Sequence, residues 1–86
     1  MHDDLLPVVE LMQGIAEDNS VPRNIRAAIA EAREKLENGD IDVGTTSAVY
    51  VLDDISNDIN MPSHTRTEIW QLISELEAVR EKHKAK

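Results

Sequence analysis

Residues 55–70 read ISNDINMPSHTRTEIW, and residues 15–29 read IAEDNSVPRNIRAAI. A shift of forty lays one on the other: Ile15 on Ile55, Asp18 on Asp58, Pro22 on Pro62, Arg26 on Arg66 and Ile29 on Ile69. The match runs outward, with Val9 on Val49, Leu36 on Leu76 and Glu37 on Glu77. Val21 precedes proline, which pushes its backbone out of the α region, and Pro22 suits the first position of a helix. Met61 and Pro62 repeat the arrangement. Each segment therefore reads as a corner: a helix end, a short turn and a helix that starts at proline.

Outward from the corners, the apolar spacing supplies the helices. Before the first corner, Leu5, Val8, Val9, Met12, Ile15 and Ala16 recur at intervals of three and four, an amphipathic stripe widened by Leu6 and Leu11. Asp3 or Asp4 is the expected cap, with Pro7 tolerated in the first turn. Gly14 lies inside this helix, where it costs about 1 kcal/mol relative to alanine. It either permits a close helix contact or is simply tolerated. The second helix runs from about residue 22, with Ile25, Ala28, Ile29, Ala32 and Leu36 inward, and ends at Asn38-Gly39, where glycine can take the left-handed conformation.

The third helix begins at Asp40 or Asp42. Val43, Gly44, Thr45, Thr46 and Ser47 are weak helix formers, so its first turns are expected to fray. Ala48, Val51, Leu52, Ile55 and Ile59 form its stripe. The β-rich run TSAVYVL competes as a strand, but the register against the first helix decides for helix. The fourth helix starts at Pro62, carries Ile69, Leu72, Ile73, Leu76 and Val79, and frays around residue 83. The fold expected is all-α: an antiparallel up-down four-helix bundle of two duplicated hairpins, about 3–39 and 40–81, with a basic tail at 82–86.

Eighty-six residues make one domain with a thin core. Phenylalanine is absent, and cysteine too, so disulfides and thiolate zinc sites are excluded. No apolar run is long enough to span a membrane, and MHDDLLP is acidic where a signal peptide is basic, so a cytoplasmic protein is expected. The formal charge of −8 disfavours broad attachment to nucleic acid or anionic lipid. Lys82, Lys84 and Lys86 close the chain, and the basic tail they form reads as a frayed end complementing the helix dipole.

Few groupings resemble chemistry. His64 with Asp58 and Arg66 is the nearest thing to an acid–base cluster, but no serine, cysteine or lysine nucleophile has an evident partner. Asp54 and Asp58, four apart, would make at most a weak cation site, with Asp53 and Asn57 beside them; a solvated acidic face is the plainer reading. No catalytic, cofactor or metal site is assigned. Asp18 and Asp58 lie near helix C-termini, where the dipole disfavours an anion. Each precedes an arginine, Arg26 or Arg66, by eight residues. With Pro22 and Pro62 they read as structural corners, clasped either by the aspartate–arginine pair or by the aspartate accepting from free N–H groups of the next helix.

Tyr50 and Trp70, the chain's two aromatic residues, break the repeat by replacing Glu10 and Ala30. Two readings stay open: a tryptophan that completes the core, or a contact patch for a protein partner or a homodimer. Arg23, Arg26, Arg33 and Lys35 make the second helix the one basic element before the tail, interleaved with Glu31, Glu34 and Glu37. Ion pairing along the helix is the bland reading, and an RNA-contacting ridge the sharper one.

The segments EDNSVPRNIRAA (17–28) and LDDISNDINMPSHTRTEIWQLISELE (52–77) together resemble a family of small archaeal proteins of about this length, filed as an uncharacterised protein family. The matching motif residues are Asp18, Pro22, Arg23, Arg26, Asp58, Pro62, His64, Arg66 and Trp70. The resemblance implies a compact helical fold, an archaeal cytoplasmic setting and no assigned activity. The functional expectation is a non-enzymatic protein-interaction or adaptor module, with Tyr50, Trp70, Arg23, Arg26, His64 and Arg66 as candidate binding residues. An RNA- or ribosome-associated factor is the alternative.

Overall fold

The computed structural model describes residues 3–37 and 40–84, so the expected helix end at Asn38-Gly39 lies outside the described residues. A short 3-10 turn, Asp3–Leu5, leads into helix α1, Leu6–Ala16; α2 is Arg23–Glu37, α3 is Ile41–Ile55 and α4 is Ser63–Lys84. Among the described residues there is no strand, and TSAVYVL lies within α3. Each helix packs on the next in sequence, and α4 returns to α1. The molecule measures 41 × 19 × 17 Å, so the helices lie along one long axis.

The core is aliphatic with two methionines. Val8, Met12 and Ile15 of α1 meet Ile25, Ile29, Ala32 and Leu36 of α2, Ala48 and Leu52 of α3, and Ile69, Leu72 and Leu76 of α4. These positions follow the three-and-four spacing that faces one side of a helix. Val21 and Met61, the residues before the two prolines, are also buried. The stripe rule passes over them because they sit outside the helices. Ile59, assigned to the stripe of α3, is 91% exposed. The helix stops at Ile55, so Ile59 falls in the corner at the position Asn19 holds forty residues earlier. Leu6 is likewise half exposed and adds nothing to the core.

The ends of the helices differ from expectation in three places. Neither Asp3 nor Asp4 caps α1, whose N-cap residue is Leu5 with no side-chain bond. Asp4 instead lies 3.2 Å from Lys82 Nζ and 2.8 Å from His83 Nε2, fastening the start of the chain to the end of α4. Helix α4 itself runs to Lys84, one residue past the point where fraying was expected.

The opening of α3 is also ordered despite its weak formers. Asp40 accepts from the Val43 N–H at 2.9 Å, and the Thr45 hydroxyl donates to the Ile41 carbonyl at 2.7 Å. Gly44 lets α3 lie against the backbone of α2, since a Cβ there would stand 2.9 Å from the Lys35 carbonyl oxygen. Gly14 has no such role, because nothing lies within 4 Å of the place its Cβ would take.

Candidate functional site

The two corners are built alike. In each, the aspartate N–H donates to the isoleucine three residues back, Asp18 to Ile15 and Asp58 to Ile55, and the aspartate carbonyl accepts from Val21 or Met61. The carboxylates act locally: Asp18 Oδ1 accepts from the Ser20 N–H at 2.9 Å and the Ser20 hydroxyl at 2.7 Å, and Asp58 Oδ1 accepts from the Asn60 N–H at 2.8 Å. This aspartate turn replaces the expected bond to the next helix.

The arginines bind carbonyls. Arg26 Nε donates to Val21 O at 3.0 Å, while Arg66 donates through one amino group to Ser56 O and through the other to Asp58 O at 2.9 Å. The carboxylate–guanidinium pair, one of the two clasps expected at each corner, is therefore replaced by a guanidinium on backbone carbonyls of the turn. At the second corner the cause is electrostatic, since Ser56 is the C-cap of α3 and its carbonyl lies at the negative end of that helix; Val21 O belongs to the turn before α2.

The corners also meet each other. Asn24 Nδ2 donates to Asp58 Oδ2 at 2.8 Å, and His64 Nε2 lies 3.8 Å from Asp18 Oδ2. Positions 24 and 64 are forty apart, so each corner reaches the aspartate of the other by the same position. His64 thus faces Asp18, not Asp58, and the expected His64–Asp58–Arg66 grouping does not form. The Asp18 carboxyl is held below its ordinary value by the Ser20 hydroxyl, then the Ser20 N–H, then the nearby His64. Asp58 is lowered by the Asn60 N–H, the Asn24 amide and the field of Arg66. Among the described residues, no three side chains of the metal-binding types gather closely enough to hold an ion.

Tyr50 and Trp70 are 72% and 62% exposed, so neither completes the core. They stand in grooves on either side of α3. Trp70 lines the α3–α4 groove of about 410 Å³ with Asp53, Ser56, Asn57, Ile73 and Ser74. Tyr50 lines a groove of about 420 Å³ toward α2 that also contains Glu31 and Asp54. The α1–α2 groove, about 260 Å³, is built on positions forty residues before the α3–α4 groove: Gln13, Ala16, Ala30, Arg33 and Glu34 correspond to Asp53, Ser56, Trp70, Ile73 and Ser74. Across that first groove lies Arg33, with Nη1 2.7 Å from Gln13 Oε1 and Nε 3.3 Å from Glu37 Oε2. Sequence reasoning found the aromatics but missed this pair of grooves, although the forty-residue register applied to Arg33 and Ile73 points to it. Arg23 remains exposed at the start of α2.

Among the described residues, no helix is long and apolar enough to cross a membrane. The profile of the uncharacterised protein family UPF0147 matches residues 2–79. A UPF0147 protein of Methanothermobacter thermautotrophicus is 51% identical over 76 residues, 86% of this chain and 74% of that protein. One from Methanocaldococcus jannaschii is 48% identical over 81 residues, 91% of this chain and 87% of that one. A crystal structure of a protein of unknown function superposes with a TM-score of 0.85 at 48% identity, covering 87% of this chain and 88% of the other. A second, of a UPF0147 protein from Thermoplasma acidophilum, gives 0.84 at 33% identity over 90% and 93% of the two chains.

Proposed function

The chain belongs to the uncharacterised protein family UPF0147, and from its own surface we propose that it is a non-enzymatic interaction module that engages a protein partner through α3 and α4. The observation that carries this reading is the placement of the aromatics. Among the described residues fifteen apolar side chains are buried and none is aromatic, while Tyr50 and Trp70 both face solvent on either side of α3. Large exposed aromatic side chains are expensive to leave in water and are enriched where proteins bind one another. The expected cytoplasmic setting belongs to the same proposal.

The framework beneath this surface is an antiparallel up-down bundle of two duplicated hairpins. The corner bonds repeated at a spacing of forty support the duplication. Asp42 lies 3.7 Å from Arg80 at one end of the α3–α4 pair, and Ser56 receives Arg66 at the other, which supports antiparallel neighbours. The RNA reading is weaker, because the guanidiniums of Arg26 and Arg66 are bound to the chain's own carbonyls.

The test is capture from native archaeal extract by the wild type and by the Tyr50→Ala/Trp70→Ala variant, with and without RNase. Proteins held by the wild type, lost with the variant and unaffected by RNase are expected. Retention equal in both, or retained material that disappears with RNase, would overturn the proposal.

A further inference from the structure

Resting on the interaction reading above, we propose that the α3–α4 groove seats an arginine or lysine side chain presented by a basic segment of the partner protein. The α1–α2 groove supplies the argument, because there the chain fills the equivalent groove with a cation of its own. Arg33 lies across it, held by Gln13 on the facing helix and Glu37 one turn on, with its Nε shielded from solvent. Forty residues later the arginine position is Ile73, and the position facing it is Asp53 in place of Gln13. The groove has lost its cation, gained a carboxylate at Asp53 that no cation among the described residues occupies, and exchanged Glu34 for Ser74.

The Asp53 carboxylate has no hydrogen-bond or ion-pair partner among the described residues. Beside it, alanine has become Trp70, whose ring face attracts a cation at the same time as it offers apolar area to the methylene stem. The second groove also has the larger volume, about 410 Å³ against about 260 Å³, although it contains the larger side chain. An incoming guanidinium would thus find a carboxylate acceptor, an aromatic face and the apolar Ile73 within one groove.

The surroundings have the matching sign. Helix α3 carries Asp42, Asp53 and Asp54 and no lysine or arginine. Glu31 joins Asp54 in the adjoining groove beside Tyr50. Arg66, one turn before Trp70 on α4, is bound to the carbonyls of Ser56 and Asp58. A segment bearing two or more basic residues can therefore lie across α3 with one cation at Trp70 and another toward Tyr50, drawn by a surface of net negative charge.

The test is selection of a random twelve-residue display library on the immobilised full chain, followed by titration of the winning synthetic peptides against Trp70 fluorescence. Trp70 is the chain's only tryptophan, so the signal reports on this groove. The expected winners carry arginine or lysine next to an apolar residue and bind Asp53→Asn at least ten-fold more weakly, with binding to Trp70→Ala, followed by calorimetry, reduced likewise. The Asp53→Gln/Ile73→Arg double variant should rebuild the first groove's bridge, keep its melting temperature and lose the peptides. Winners that need Trp70 but are acidic or uncharged, or that ignore Asp53, would overturn the cation seat and leave the interaction face standing. Winners indifferent to both Tyr50 and Trp70, or no winners at all, would overturn both. A concentration-dependent dimer abolished by Trp70→Ala would assign the face to a second copy and overturn the basic partner.

Discussion

The α1–α2 groove and the α3–α4 groove are built on the same positions and occupied differently. Beneath them, Ile29 and Ile69 fill equivalent places in the core, and Leu36 and Leu76 do so again about two turns on. On the outer surface, Arg33 bridges to Gln13, whereas Ile73 and Asp53 leave the second groove open beside Trp70. The contrast separates two kinds of constraint. Positions that hold helix against helix stay buried in both pairs, with the same residue at Ile29/Ile69 and Leu36/Leu76 and a changed one at Met12/Leu52 and Ile25/Thr65, because neighbouring side chains repack around the difference. The groove positions differ in charge and size, Arg33 against Ile73, Gln13 against Asp53 and Ala30 against Trp70, and there the two helix pairs part.

The most forceful way to break the correspondence is in the shared core. Ile29→Ala and Ile69→Ala each remove a fully buried branched side chain and are expected to cost about 2–5 kcal/mol, measured by urea unfolding. Equal costs would support a core used alike by both halves. If one were nearly free, the two sites would not be equivalent.

The corner arginines sharpen the comparison at the next level. Arg66 serves two carbonyls and Arg26 one. A hydrogen bond involving a charged group contributes about 1.5–3 kcal/mol, and both guanidiniums are partly screened by water. Arg66→Gln is therefore expected to lower stability by about 2 kcal/mol and Arg26→Gln by about half that. The reverse order would show that the number of carbonyls bound does not set the strength of a corner.

The glycines give effects of opposite sign. At Gly44→Ala the new methyl meets the α2 backbone, which cannot step aside as a side-chain tip can, and a loss of about 1–3 kcal/mol is expected. Gly14→Ala meets nothing and removes a helix-weakening residue, so a gain of up to about 1 kcal/mol is expected. Thermal melts of the two variants should move in opposite directions.

How much of this was legible in the sequence follows from the same division. The helices and most of the core could be read, because apolar spacing and proline placement are local signals. The order at the start of α3 was not, since it depends on Gly44 meeting the Lys35 carbonyl across a helix pair. Ile59 was misread because spacing continues through a helix end that Ser56 and the aspartate turn impose. At the corners, the partners of Asp18, Arg26, Asp58 and Arg66 were not legible, because they are backbone groups and side chains of the opposite corner. A sequence states which side chain is present, not which carbonyl it will find. The repeat did contain the missing clue, since Asn24 and His64 share one register position and both cross to the neighbouring corner.

The corners should also respond to acid, with a small effect. The carboxyls of Asp18 and Asp58 titrate below their ordinary range in the folded chain, so the folded state takes up their protons less readily than the unfolded one. Their contribution is present above about pH 4 and is lost as pH falls through the lowered folded values. The gap in melting temperature between the wild type and Asp58→Ala, or Asp18→Ala, should be widest near neutrality and narrow below about pH 4. A gap that grows on acidification would contradict this sign.

The smallest expected effect belongs to the largest side chain. Trp70→Ala removes the only tryptophan, yet the ring is mostly in water and its counterpart in the first half is already alanine. If Ala30 suffices to cover Ile29 and the α1–α2 groove, alanine at 70 should suffice for Ile69 and the core beneath it. The expected change in unfolding free energy is within about 0.5 kcal/mol, the range of ordinary surface substitutions. Urea unfolding followed by circular dichroism measures it without the lost fluorescence. A cost of 3 kcal/mol or more would mean that the ring closes the second half structurally, as Arg33 bridges the first. The difference between the grooves would then be one of packing, not of recognition.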